Sequence, residues 1–195
     1  MELHNNTKTF QARDRAAWRR WLEKNHEQET AVWLIIYHKT SATKTVYYDE
    51  AVEEAICFGW IDSIAHKRDE ESKYQFFAKR KPKSNWSKAN RARAEKMIAQ
   101  GRMQPAGQAA ITHAKKTGSW TALEQVQSSV VPPDLEAALN KNKTARSHFD
   151  KFPPSSKRII LEWILNAKKP ETRANRIAET VSLAADNIRA NHYRQ

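Results

Sequence analysis

A chain of 195 residues with seven tryptophans and 39% hydrophobic residues can bury one sizeable core, or a core with a helical appendage, and its 29% of charged residues does not mark it as disordered. The formal net charge of +12 draws polyanions, nucleic acid first and anionic lipid headgroups second, unless the basic residues only solvate helical surfaces; they are spread along the chain and form no block of five or six. One cysteine excludes a disulfide framework, no run approaches the ~20 apolar residues of a membrane helix, and the start Met1-Glu2-Leu3-His4 lacks the basic and apolar regions of a signal peptide, so a cytoplasmic protein without membrane insertion is expected.

The first element is a helix over 11–25, capped by Asp14, with Ala17, Trp18, Trp21 and Leu22 spaced as a core-facing stripe. Residues 31–38 read as a strand apolar on both faces, hence central and covered on both sides. A polar loop from Lys39 to Thr45 leads to a second helix, capped by Asp49 and stopped at Gly59. Residues 60–68 predict a strand with Trp60, Asp62, Ile64 and His66 on one face, and 73–80 a strand that pairs with it as a hairpin. From Ser84 the pattern is helical: a helix capped by Ser84 or Ser87 and ending at Gly101, one opening at Pro105, short helices from Asp134 and Thr144, one capped by Ser155 or Ser156, and a last one from Pro170. The expected fold class is therefore α+β: a small three-stranded antiparallel sheet with helices in the N-terminal half, then an all-helical C-terminal half. The expected organisation is a domain over 1–116, a linker over 117–133, and a helical region over 134–195 packed on the first.

Two tryptophans sit inside polar turns, Trp60 in Cys57–Ser63 and Trp86 in Arg80–Asn90. Arg80, Lys81, Lys83 and Lys88 gather at a serine-capped helix start, where free N–H groups and the dipole favour an anion. Ser84 and Ser87 add hydroxyls, and Asn90 lies one turn below Trp86. The bland alternative is a cap with a solvated charge run and a core tryptophan. Cys57 at a helix C-terminus reads as a small buried hydrophobe rather than a thiolate. Glu54 and Asp62 can be paired as acid and base, but surface salt bridging to nearby basic groups is the simpler expectation for both. Arg173 and Arg176 share a face of the last helix and suit phosphate or carboxylate recognition. The seven histidines are scattered without ligand spacing, and no phosphate-loop, dinucleotide or nucleophile-elbow motif is present, so no metal or cofactor is expected.

Cys57-Phe58-Gly59-Trp60-Ile61-Asp62-Ser63, Arg80 with Ser84-Asn85-Trp86-Ser87 and Asn90, Gly101-Arg102-Met103 with Pro105-Ala106-Gly107, and Trp163, Ala167-Lys168, Pro170-Glu171-Thr172-Arg173 with Arg176-Ile177 together resemble the YdeI/OmpD-associated family, sometimes called bacteriocin-protection proteins. Lys79 stands where the family's pattern usually has proline. The resemblance implies a link to tolerance of bacteriocins or antimicrobial peptides, attaches no catalytic mechanism, and implies that both tryptophan turns, Arg102 and Arg173 belong to one site.

The leading expectation is a non-enzymatic protection protein that binds a small anionic ligand through Trp60, Asp62, Arg80, Ser84, Trp86, Ser87, Asn90, Arg102 and Arg173. Non-sequence-specific nucleic-acid binding is the alternative, and an enzyme using Asp62 or Glu54 as a base the third reading. Oligomeric state has no sequence signal.

Overall fold

A computed structural model describes residues 2–192, and the chain divides into two compact units, Met1–Thr121 and Ala122–Gln195. Met1 and residues 193–195, the outer ends of the expected ranges, lie outside the described residues.

The first unit is built on a five-stranded mixed sheet, not the three-stranded antiparallel one expected. Its strands are β1 (Leu3–His4), β2 (Thr7–Gln11), β3 (Ala31–Tyr37), β4 (Trp60–Lys67) and β5 (Ser72–Lys79), in spatial order β1-β2-β3-β5-β4. The two additional strands are short and polar, with Thr-Lys-Thr-Phe-Gln for β2, and their hydrophobic pattern is too sparse to announce a strand. β2 runs parallel to β3 with Thr9 opposite Trp33, joined to it by helix α1 (Arg15–Asn25); β1, β4 and β5 pair antiparallel.

Asp14 caps α1 by accepting the Ala17 N–H at 2.7 Å, and Trp18 and Leu22 are its fully buried residues. Helix α2 (Tyr48–Cys57) begins one residue before the expected cap: Tyr47 is the N-cap, and Asp49 lies in the first turn. Gly59 ends α2 at φ +72°, a left-handed conformation that disfavours a side chain. Helices α3 (Lys88–Ala99), with Ser87 rather than Ser84 as its cap, and α4 (Pro105–Thr117) complete the unit. One core joins Trp18, Leu22, Val32, Leu34, Val52, Ile56, Trp60, Phe77, Trp86 and Ile111. Across the sheet, Trp33, Ile35 and Tyr74 form a smaller cluster, with His4 of β1 stacked on Tyr74.

A bulge between Asp62 and Ala65 of β4 breaks the expected face assignment. Trp60 joins the main core and Asp62 faces Tyr48 of α2, whereas His66 lies beside Trp33, on the other face. Strict alternation fails at the extra residue.

The second unit is helical: α5 (Glu124–Gln127), α6 (Pro133–Asn140), α7 (Lys143–Lys151), α8 (Pro154–Leu165) and α9 (Pro170–Ala185). Its own core includes Leu135, Leu139, Phe149, Ile160, Ile164 and Ile177. Asn142 caps α7, while α6, α8 and α9 each open on a proline at the first turn, where its missing N–H and preset φ cost nothing.

Candidate functional site

The turn after α2 and the loop after β5 meet at Arg80, whose N–H donates to the Gly59 carbonyl at 2.9 Å. The Arg80 guanidinium carbon lies 3.7 Å from the ring centroid of Trp86, a close cation–π stack. Its Nη1 donates to the carbonyls of Asn85 (3.1 Å) and Ser84 (3.4 Å), so the chain folds back around its own cation. Nε and Nη2 are buried without an acceptor. Among the described residues Arg80 forms no ion pair, and burial pushes its pKa down to about 10, opposed by the charge of Asp62.

Trp86 is 1% exposed, its other neighbour being Trp120 at 4.9 Å. Trp60 is equally buried and meets Trp21 edge-on at 5.8 Å. Both indoles are core residues, and neither indole N–H has an acceptor. Asp62 accepts the Tyr48 hydroxyl at 2.5 Å; burial first and Asp62 second push that phenol up to about 12. The Asp62 carboxylate is thus held by a phenol, not by the surface salt bridge expected. Ser87 accepts the Asn90 N–H at 3.2 Å as the cap of α3, and the Asn90 side chain accepts from Arg93, which also reaches Asp49 at 2.7 Å. A Ser84–His66–Asp62 triad is excluded by the bulge, which sends His66 and Asp62 to opposite faces of the sheet.

Two shallow clefts flank Arg80. One of about 170 Å³ is lined by Arg80, Lys81, Pro82, Ala110 and His113; another of about 260 Å³ adds His26, Glu27, Phe58, Gly59, Lys79 and Ala106 around the same Arg80 and Ala110, and the carboxylate of Glu27 makes the first the better suited to an anion. The small residues keep the floor open. A Cβ on Gly59 would lie 3.0 Å from the Ala106 carbonyl oxygen.

Arg102 belongs to a different constellation that sequence reasoning missed. Glu54, expected at the surface, is 0% exposed and receives Arg15 Nε at 2.5 Å, Arg19 Nη1 at 2.7 Å and Arg102 Nη2. Its neighbour Glu53 takes Arg15 Nη1 at 2.8 Å and Lys96 at 2.6 Å. Burial raises the Glu54 pKa, but the hydrogen bonds and charges of the arginines outweigh it and hold the carboxyl below its usual value. The legible signal was Arg15 and Arg19 one helical turn apart, facing the same way as core residue Trp18 is flanked. Cys57 follows on α2, its Sγ donating to the Glu53 carbonyl; burial and then Glu54 push its thiol up to about 11, as befits an inert buried hydrophobe.

In the second unit Arg173 grips Asp134 with both arms, Nε to Oδ2 at 2.6 Å and Nη2 to Oδ1 at 2.9 Å, and holds that carboxyl below its ordinary range. Arg176 lies over Trp163 at 5.0 Å and donates to its carbonyl. Among the described residues no three His, Cys, Asp or Glu side chains converge as metal ligands, and no helix is long and apolar enough to cross a membrane.

Residues 128–187 match the family described as bacteriocin-protection, YdeI or OmpD-associated. That match covers less than a third of the chain. Residues 10–110, just over half of the chain, match the family described as a domain of unknown function (DUF8412), and the chain belongs to it; the two matches fall one in each unit. The family description therefore attaches to the helical unit, whereas Trp60, Arg80, Trp86 and Arg102 stand in the domain whose function is unassigned. No curated protein and no solved structure matches the chain.

Proposed function

We propose that this protein, whose residues 128–187 are similar to the YdeI/OmpD-associated family, is a cytoplasmic protection protein whose first unit binds a small anion at the Arg80 turn. The observation that carries the reading is the state of Arg80: a desolvated guanidinium with two buried, acceptorless N–H groups and no carboxylate ion-paired to it. Buried charges are ordinarily paired, and a carboxylate or phosphate supplies the two coplanar acceptors a guanidinium fork accepts. Lys81 at the rim of the adjoining cleft adds positive potential, His113 beside it adds an imidazole, and Trp86 holds the fork flat.

The test is tryptophan fluorescence of the whole protein titrated with inorganic phosphate, short dicarboxylates and nucleotides, because Trp86 touches the cation that would move. Binding is expected in the parent and lost in Arg80→Ala. A folded parent that is silent across that panel overturns the reading.

Nucleic-acid binding is the second reading, supported by exposed Lys81, Lys83 and Lys88 in the loop and helix start after β5, none of which is ion-paired among the described residues. Its mark is affinity that falls steeply with salt.

A further inference from the structure

A second cleft of about 220 Å³ lies away from the Arg80 turn, in the loop from His38 to Tyr47. Four of its lining side chains are basic (Arg13, His38, Lys39 and Lys44), and Ser41 and Thr43 add hydroxyls; none of the lining residues is acidic. The carboxylates next to the lining residues in sequence are already committed: Asp14 caps α1 and pairs with Arg13, Glu50 accepts the Tyr47 N–H, and Asp49 holds Arg93, while Glu71 meets His38 through its backbone carbonyl. Lys39 and Lys44 have no ion-pair partner among the described residues, although Lys39 lies 5.8 Å over the Tyr47 ring.

Topology places these groups where open sheets with parallel strands bind ligands. β2 and β3 are the parallel pair; Arg13 follows the carboxyl end of β2 and His38 that of β3, and each strand leads on to a helix start, α1 after Asp14 and α2 after Tyr47. Two sets of helix N–H dipoles thus stand at the same end of the sheet as the four basic side chains. The loop is braced rather than loose. Ser41 N–H donates to the His38 carbonyl, Thr43 N–H to Ser41 Oγ, and Val46 N–H to the Ala12 carbonyl that precedes Arg13. Ser41 Oγ, an acceptor in this arrangement, keeps its own proton for a ligand.

We infer that this cleft is a binding site for a small phosphoanion, with Arg13, Lys39 and Lys44 as its cations and Ser41 and Thr43 as hydroxyl donors. Hydroxyls interleaved with ammonium groups suit the several oxygens of a phosphate or diphosphate, and the volume suits a group of that size rather than a polymer lying across it. The site is independent of the Arg80 turn and stands or falls without it.

The experiment is an amide NMR titration of the whole protein with inorganic pyrophosphate, repeated on Lys39→Gln/Lys44→Gln and on Arg80→Ala. Both lysines are exposed, so the double variant is expected to fold. Shifts concentrated in residues 38–47, an affinity reduced about tenfold or more in the double variant, and no change in Arg80→Ala are the expected result. Adenosine diphosphate competing with pyrophosphate identifies the shared group as a phosphate. Shifts confined to residues 80–90, equal affinity in the double variant, or binding of a short oligonucleotide with none of pyrophosphate would each overturn the assignment.

Discussion

A guanidinium stacked on an indole loses water from one face while its charge remains, and the cost of that desolvation must be met by acceptors in its plane. Arg80 has carbonyl acceptors on Nη1 alone, whereas Arg173 has a full bidentate carboxylate. Their roles in the fold therefore differ. Replacing Arg80 by methionine removes an uncompensated buried charge together with a cation–π contact, terms of similar size and opposite sign. The stability of Arg80→Met, read by urea denaturation, is expected to stay within about 1 kcal/mol of the parent while anion binding is lost. A loss above about 3 kcal/mol would show that Arg80 is chiefly a structural tie. Below about pH 10, where Arg80 keeps its proton, the pH response is set by other residues. Tyr48, pushed up to about 12, and Cys57, pushed up to about 11, stay protonated in the folded chain at pH values where the unfolded chain, at 10.0 and 9.0, has released those protons. Their contribution to stability is therefore complete below about pH 9 and is lost as the pH rises towards 11 and 12. Melting curves at pH 8 and 10 should show the decline, and Cys57 should resist thiol reagents at pH 8 until the protein unfolds. Rapid labelling of native protein would contradict the buried, protonated thiol. The residue type and the place of Arg80 were legible in sequence because a basic cluster beside a helix cap is a local pattern; its lack of a carboxylate partner was not, since that depends on what long-range packing brings near.

At the scale of elements, α2 is clamped from both sides. Its Glu53 and Glu54 anchor α1 through Arg15 and Arg19, α3 through Lys96, and the segment after α3 through Arg102. Glu54→Gln would leave three guanidinium groups around a neutral amide, and a loss of about 3–5 kcal/mol is expected by chemical denaturation, the size typical of breaking a buried pair from one side. The pH sign is opposite to that of Cys57: the Glu54 contribution is present above the unfolded carboxyl's 4.5 and is lost as pH falls through its depressed folded value. A loss under 1 kcal/mol would mean that water solvates the cluster. The other clamp is α4, which packs so close to the end of α2 that a Cβ on Gly107 would lie 2.3 Å from the Cys57 carbonyl oxygen and 2.6 Å from that of Ile56. Gly107→Ala is expected to cost about 1–3 kcal/mol, since backbone cannot give as a flexible side chain does; an unchanged melting temperature would rule out this packing. Strong periodicity made α1, β3, the β4–β5 hairpin and most later helices readable. β1 and β2 were not readable because the pairing of β1 with β2 and of β2 with β3 rests on backbone hydrogen bonds that a sparse Thr-Lys-Thr-Phe-Gln pattern does not advertise. The bulge in β4 likewise inserts its residue without a glycine or proline to mark it.

Across the whole molecule the charge of +12 is less available than the composition implies. Arg15, Arg19, Arg68, Arg93, Lys96, Arg102, Arg146 and Arg173 are all held in ion pairs, several of them part-buried. What remains for a polyanion are exposed lysines such as Lys81, Lys83, Lys88, Lys115 and Lys116, flexible point charges that contact phosphates without reading sequence. Binding to a random DNA duplex, followed over about 50 to 300 mM salt, is accordingly expected to be weak, to fall steeply with salt, and to be indifferent to Arg80→Ala. A guanidinium with buried N–H groups cannot follow a phosphate backbone on the surface, so the duplex and the small anion should separate cleanly in that variant. Tight duplex binding that Arg80→Ala abolishes would reverse the assignment, making the turn at Arg80 a phosphate-backbone contact and the exposed lysines its continuation.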